Sequence, residues 1–298
     1  MMMQRKNAFL VVGGDSLVGG GVVRALEQRG HRTLATTRRA DTVSPTRVLL
    51  DFESSTPFRV PRDVGYAFLI AAATNYERCA TDPLARVINV ELIPRTVASL
   101  LDQGLFVTYI STNSVFGGER PWPQEDDPHS PGIPYAQQKS DSEEVVRDAA
   151  ARLHAADRIN IVRLTKIMNA SVSPLPSWLA AWKRGSPVEP FADLIFAPIS
   201  VKFVGEALAS IGEQRIAGNL HLSGAENVTY VEFARRLASR LGISPGLIKP
   251  TTAIEKGIHI PFKPRFSGLG MERTTRLSGI KPQSLDTLVE DLFADTEA

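Results

Sequence analysis

Much is missing from this chain of 298 residues, and each absence closes off a class of protein. A single cysteine, Cys79, rules out an intrachain disulfide and suits a reducing compartment. No apolar stretch approaches the ~20 residues of a membrane span. The first apolar run, residues 8–12, passes straight into glycines and is too short for the core of a secretion signal. A cytoplasmic protein is the expectation. Lysine and arginine number 34 against 32 aspartate and glutamate, a formal net charge of +2, and basic residues do not run beyond short pairs such as Arg38 and Arg39. Nucleic acid and membrane surfaces therefore have no electrostatic case as partners. Cysteine and histidine lack metal-ligand spacing, so a metal site has no support, and no internal repeat is present. With 43% hydrophobic residues the chain can bury a sizeable core, enough for one large α/β unit or for a domain with a smaller partner.

Short β-branched or apolar runs alternate with helical stretches, the pattern of a parallel sheet covered on both faces. The runs occupy residues 8–12, 31–36, 47–50, 66–72, 105–110, 158–164 and 218–223. Helices are expected between them, most clearly over 83–102 and 135–153, with others near 201–214 and 284–295. Thr229 and Glu232 make a capping-box signature and Gly242 a stop, which predicts a helix over 230–241. After Leu164 the pattern changes to a segment rich in proline, serine and tryptophan. The expected fold is α/β, a Rossmann-type doubly wound parallel sheet with a smaller, discontinuous C-terminal substrate domain. Residues 1–164, completed by 200–223, would bind a dinucleotide; 165–199 and 224–298 would bind the substrate.

The first run opens into GGDSLVG, where Gly13, Ser16 and Gly19 fill the three glycine-like positions of a dinucleotide turn. The first glycine permits the tight strand-to-helix turn, and the last permits close helix packing. The helix N-terminus then turns free N–H groups toward a pyrophosphate. The Ser16 hydroxyl can donate to that phosphate or cap the helix; a purely structural tight turn is the plainer alternative. The second run ends in Thr36, Thr37, Arg38 and Arg39, not in the acid that would accept a ribose 2′-hydroxyl and repel a 2′-phosphate. Hydroxyls plus guanidinium suit a phosphate and favour NADP(H), with NAD(H) open; otherwise the arginines are a solvated pair. Asp51, followed by Phe52, can accept from an adenine amino group or close a turn. The fifth run presents Ser111, Thr112, Asn113 and Ser114 at the carboxyl end of the sheet, where open α/β folds bind ligands. A hydroxyl there can hold a substrate oxygen or simply end a strand.

Tyr135 and Lys139, in PYAQQK, stand four apart on an expected helix and so share a face. A free tyrosine has a pKa of ~10. A unit positive charge at ~5 Å in an effective dielectric of ~20 favours the phenolate by roughly 3 kcal/mol, on the order of two pKa units. That brings the phenol into the range of general acid and base work near neutrality. The spacing alone is common. Downstream of a glycine turn and a hydroxyl-bearing strand end, it reads as a nicotinamide site with a phenol placed to handle a proton.

The ordered set GGDSLVG, LLDF, AAAT, VINV, ISTNSVFGG, QEDDPHSPGIPYAQQK and IVRL resembles an extended short-chain dehydrogenase/reductase. Within that family it is most similar to the dTDP-4-dehydrorhamnose reductase (RmlD-like) group, over most of the chain. STNSVFGG stands for the reductases' STDYVFDG and the YxxxK pair falls on Tyr135 and Lys139, so the resemblance implies a catalytic set of Thr112, Tyr135 and Lys139. It implies cofactor contacts from Gly13, Ser16, Leu17 and Val18 in the turn, and from Arg38, Asp51 and Phe52. Further cofactor contacts fall on Ala71, Ala72, Ala73 and Thr74 after the fourth strand, on Asn89 in the following helix, and on Tyr135 and Lys139 themselves. For the substrate it points to Asn113, and the likeness of KPRFSGL to RPxNSxL brings in Lys263 and Arg265. Lys166, Trp178, Trp182 and Lys183 also lie in the segments expected to meet the substrate. Such side chains can stack on a base, neutralise a diphosphate, pack in a core or stand in water.

The chain also departs from the family's pattern. Asn113 and Ser114 replace the Asp-Tyr of these reductases and exclude the Asp-Glu pair with which related dehydratases eliminate water. TNYERCATDP lacks the acidic run usual there, and IVRLTKIMNASVSP does not carry the reductases' substrate loop. The resemblance implies NADPH-dependent reduction of a carbonyl on a sugar nucleotide, such as a 4-keto-6-deoxyhexose. An NAD-dependent sugar-nucleotide epimerase of the same family and a non-catalytic dinucleotide-binding protein are the alternatives, and a homodimer is left open.

Overall fold

All five residues of the first strand, β1 (Ala8–Val12), are buried, because their side chains alternate between two hydrophobic cores on opposite faces of one sheet. Leu10 and Val12 face one core, and Phe9 and Val11 face the other. The computed structural model describes residues 8–53 and 60–294. After β1 come α1 (Leu17–Gln28), β2 (Thr33–Thr37), β3 (Arg47–Leu49), β4 (Val64–Leu69), α2 (Tyr76–Thr81), α3 (Pro83–Arg86) and α4 (Ile93–Asp102). The middle of the chain holds β5 (Phe106–Thr112), α5 (Pro134–Arg152), β6 (Ile159–Leu164), β7 (Lys166–Met168), α6 (Leu175–Lys183), β8 (Ile195–Phe196) and β9 (Pro198–Ser200). The last part holds α7 (Val201–Gln214), β10 (Gly218–Leu222), β11 (Val228–Thr229), α8 (Tyr230–Arg240), α9 (Glu272–Ser278) and α10 (Leu285–Ala294).

Among the described residues, seven strands pair in the order β10-β6-β5-β4-β1-β2-β3, and every ladder is parallel. The order reverses between β1 and β4, the switch point at which a crevice opens at the strands' carboxyl ends. The fold is a Rossmann-type α/β sheet. One core packs α4 and α5 on the sheet, and the other packs α1 and α7 on the opposite face. A third cluster gathers residues between Met168 and Phe196 with residues from Val228 to Leu292.

The seven expected strands are all present, with no end shifted by more than three residues. The helix expected over 83–102 is interrupted by a π-helical turn, Val87–Leu92, between α3 and α4. The helices α2, α6 and α9 and the short ribbons β7/β9 and β8/β11 fall outside the expected elements. In α6, Trp178 and Trp182 are buried in the third cluster against Phe233 and Leu237, so they are core residues and not stacking platforms for a base.

A buried polar hub ties these layers together. Arg163, in β6, is 1% exposed, and its guanidinium meets the carboxylate of Glu143 of α5 with a closest approach of 2.7 Å. The same guanidinium donates to the Glu125 carbonyl at 3.0 Å, and lies 2.9 Å from His129 Nε2 and 3.1 Å from His221 Nε2. His221 Nδ1 stands 2.7 Å from the Gly270 carbonyl, so it donates there while Nε2 accepts from Arg163. Burial and the facing guanidinium push the His221 pKa down to about 4, which keeps the ring neutral. Burial alone would push Glu143 up, but hydrogen bonds from His129 and Arg163 hold its carboxyl far below the ordinary range. Its contribution to stability is present above the unfolded glutamate's pKa of ~4.3 and fades as pH falls from there toward the folded value. Glu143→Gln strands the Arg163 charge, and denaturant unfolding at pH 7 is expected to register a loss of about 3–5 kcal/mol. A loss under about 1 kcal/mol, the range of exposed pairs, would remove the hub from the fold's supports.

Candidate active site

A cleft of about 970 Å³ lies at the carboxyl ends of the central strands. Its floor begins with the turn after β1. Gly13 has φ +96, and a Cβ there would stand 2.7 Å from the Ala71 nitrogen, so both the turn and the neighbouring chain require glycine. A Cβ at Gly19 would overlap the Gly13 carbonyl, which is why α1 can start so close to the strand. Ser16 caps α1: its Oγ accepts from Gly19 N at 3.0 Å and donates to Gly13 O at 2.7 Å. Of the two roles open to Ser16, the structure takes the cap. Leu17 and Val18, at the start of α1, line the cleft with Gly13 and Ser16. Two buried hydroxyls on the cleft, Ser111 Oγ and Thr165 Oγ1, have no hydrogen-bond partner among the described residues. Buried orphans of this kind call for a polar ligand. A glycine cradle, a helix N-terminus and unpaired hydroxyls together fit a dinucleotide.

Arg38, Asp51 and Phe52 line one end of the cleft. Asp51 accepts from Glu53 N at 3.1 Å, so it closes a turn while still facing the cleft. An acid does reach the end of β2, although β2 itself carries none: Asp15, from the glycine turn, accepts from Thr37 Oγ1 at 2.6 Å. The Arg47 guanidinium binds the Asp15 carboxylate and Arg39 stands 3.8 Å away. Burial pushes Asp15 up, but Thr37 and Arg47 outweigh it and hold the carboxyl below its ordinary value. Arg38 has no side-chain partner among the described residues.

Ala71, Ala72, Ala73 and Thr74 run along the cleft wall after β4. Asn89 does not line it. Its side chain is 1% exposed and works from behind, where Oδ1 accepts from Ala73 N at 2.9 Å and Nδ2 donates to Ala73 O at 2.9 Å. Nδ2 also donates to Gln138 of α5 at 2.9 Å, so Asn89 braces the wall and does not touch what the cleft holds.

Thr112, at the end of β5, and Tyr135 and Lys139, on α5, all open onto the cleft. Thr112 Oγ1 lies 2.8 Å from Ser114 Oγ and shares the cleft with Tyr135. The expected acidification of Tyr135 by Lys139 is not made here. The Lys139 ammonium donates to Tyr109 Oη at 2.5 Å and to the Ile110 carbonyl at 2.8 Å, and it lies 4.1 Å from the Tyr109 ring centroid. The physical reason is burial: an amine 2% exposed takes the strongest acceptors within reach, and these belong to β5. Burial pushes Lys139 down to about 7. Burial, with the neighbouring Tyr76 phenol, pushes Tyr135 above its ordinary value, against the opposing influence of the Thr112 hydroxyl.

Asn113 lines the cleft but spends its amide on a strap, residues 262–270, donating to Ser267 O at 2.9 Å and to Ser267 Oγ at 3.1 Å. The strap is also tied by Phe266 N to Gly118 O at 2.9 Å and by Leu269 N to Ser223 Oγ at 3.0 Å. Phe262, Pro264 and Ser267 form the cleft's lip, whereas Lys263 and Arg265 do not line it. Lys263 pairs with Asp193 at 2.7 Å and Arg265 lies over Phe266, so neither stands where the cleft would meet a substrate.

Comparison with known proteins matches the sequence to the RmlD substrate binding domain family over residues 7–297. The chain belongs to that family. It is an NAD(P)-dependent oxidoreductase by this membership. A probable low-salt glycan biosynthesis reductase from Haloferax volcanii is 24% identical over 292 residues, 95% of each chain. The dTDP-4-dehydrorhamnose reductase of Bacillus anthracis in complex with NADP has a TM-score of 0.79 at 19% identity, covering 99% of this chain and 100% of that one. MoeE5 in complex with UDP-glucose and NAD has a TM-score of 0.77 at 21% identity, covering 98% and 100%.

Beyond the residues expected of an RmlD-family chain, the cleft holds Asp15, Tyr76, Thr165, Ile195, Phe196 and Tyr230. Tyr76 lies 5.4 Å from Tyr135 ring to ring, a second phenol that only its place in TNYERCATDP could have brought forward. Among the described residues no group of three or more side chains could hold a metal ion, and no helix is long and apolar enough to cross a membrane. Because Lys139 has a folded pKa of about 7 against an ordinary 10.5, the unfolded chain binds more protons between those values and stability rises with pH across them. In cofactor-free protein, Lys139→Met is expected to lose this rise, so that the difference in Tm shifts in the parent's favour from pH 7 to about pH 10. A constant difference would show that Lys139 is not desolvated.

Proposed function

We propose that the protein reduces a carbonyl on a sugar nucleotide, with NADPH as preferred reductant and Thr112, Tyr135 and Lys139 as catalytic residues. The observation that carries this is their meeting with the glycine turn in one cleft. Relatives support it: one is named a glycan biosynthesis reductase, one is a dTDP-4-dehydrorhamnose reductase bound to NADP, and MoeE5 is bound to UDP-glucose. Gly13, Ser16, Leu17 and Val18 would hold the pyrophosphate side of the dinucleotide, Ala71, Ala72, Ala73 and Thr74 would run along it, and Lys139 would bind its nicotinamide ribose. When bound, the reduced nicotinamide supplies a hydride to the substrate's carbonyl carbon.

Tyr135 gives the carbonyl oxygen its proton. Its raised pKa suits that direction, because the hydroxyl stays protonated at neutral pH while the oxygen receiving the proton becomes an alkoxide, a stronger base. Thr112, on the same cleft at the end of β5, offers the same oxygen a second donor. Arg38, unpaired among the described residues and lining the cleft, supports a 2′-phosphate; Asp15 at the end of β2 favours the second reading, NADH.

Two measurements test this. With a keto-sugar nucleotide as substrate, Tyr135→Phe is expected to lower kcat by ~10²–10⁴-fold and leave the Kd for NADPH within about twofold. Retained turnover would take Tyr135 out of the chemistry. Arg38→Ala is expected to weaken NADPH about tenfold and leave NADH unchanged. An equal loss for both cofactors would overturn the NADPH preference.

A further inference from the structure

A phenol behind the cleft decides where Lys139 can point. Tyr109, three residues before Thr112 on β5, is 0% exposed, and its Oη lies 2.5 Å from Lys139 Nζ. The phenol's own proton is already spent: Oη donates to Ser142 Oγ at 2.8 Å, and Ser142 is just as fully buried. A phenol has one proton, so toward Lys139 the oxygen can only accept. The Ile110 carbonyl, 2.8 Å from Nζ, accepts as well. An ammonium carries three N–H groups, and β5 takes two of them, which leaves one for the cleft. Ser142 follows Lys139 by three residues on α5 and shares its face, so the Tyr109 hydroxyl grips that helix at two points. The ring adds a further contact, with Nζ 4.1 Å from its centroid. One partner satisfies a buried phenol, and Ser142 supplies it. The bond to an amine that opens on the cleft goes beyond what burial of Tyr109 requires.

We propose that Tyr109 is a positioning residue: with the Ile110 carbonyl it holds two protons of the Lys139 ammonium against β5 and turns the third toward the nicotinamide ribose. This rests on the reading that the cleft binds a dinucleotide with Lys139 at that ribose. Burial disfavours the Lys139 charge, and Glu143, one turn along α5, supports it. The accepting Tyr109 oxygen supports it too, so removing that oxygen lowers the Lys139 pKa further.

Calorimetric titration of the full chain compares NADP⁺ with 2′,5′-ADP, and NAD⁺ with ADP; in each pair the fragment lacks the nicotinamide ribose. Tyr109→Phe keeps the ring and removes the acceptor. It is expected to weaken the dinucleotide about fivefold, to leave the fragment within about twofold, and to cost nothing further in a Lys139→Met background. Ser142→Ala frees the phenol to turn its proton toward Lys139; it is expected to give a smaller loss of the same pattern, and it decides the matter if Tyr109→Phe does not fold. In cofactor-free protein, the rise of Tm with pH that Lys139 causes is expected to begin about one pH unit lower in Tyr109→Phe than in the parent. Equal losses for dinucleotide and fragment, no loss, an undiminished loss in the Lys139→Met background, or a rise that begins at the parent's pH overturns the proposal. If the parent binds neither pair, or Lys139→Met binds both dinucleotides as the parent does, the reading of Lys139 at the ribose itself fails and the proposal falls with it.

Discussion

A guanidinium and a carboxylate, both shut away from water, hold the helix that carries the candidate chemistry. Glu143 is clamped by Arg163 of β6, and Lys139 and Tyr135 lie one and two turns earlier on the same face of α5. Along that face the surroundings grade from sealed to open. Glu143 is 0% exposed, Lys139 is 2% exposed against β5, and Tyr135 is half-buried at the cleft. Desolvating two charges offsets much of their attraction, so such a pair is a poor source of net stability. We read its role as register: a shift of α5 along β6 would break several charged hydrogen bonds at once.

A second brace holds the wall opposite this helix. Asn89 mimics a strand neighbour, taking both the N–H and the carbonyl of Ala73, and its remaining proton goes to Gln138. The π-helical turn around Asn89 gives this side chain its aim, a distortion of a kind often found near functional sites. The wall of the cleft and the helix facing it are thus fixed to each other from behind, without a group projecting into the space between them.

The strands and the main helices were legible because burial on both faces of a parallel sheet leaves near-continuous apolar runs. The cleft was legible at Gly13, Thr112, Tyr135 and Lys139, where turn geometry and helical spacing are local properties. Contacts between distant segments were not. Lys139 finds Tyr109 thirty residues upstream, and Asp15 supplies the end of β2 with an acid that β2 lacks. Lys263 is neutralised by Asp193, seventy residues away. Trp178 and Trp182 have the same composition whether they stack on a base or fill a core; only the partners in the third cluster decide.

The strap over the cleft bears on the order in which a growing chain matures. By the time Leu164 is made, β1 to β6 can pair, yet the outer edge of β6 stays bare until β10 arrives more than fifty residues later. The lip comes later still, when Ser267 and Phe266 reach back to Asn113 and Gly118. On the ribosome, the half of the cleft suited to a dinucleotide is therefore shaped well before the half that chooses what it acts on.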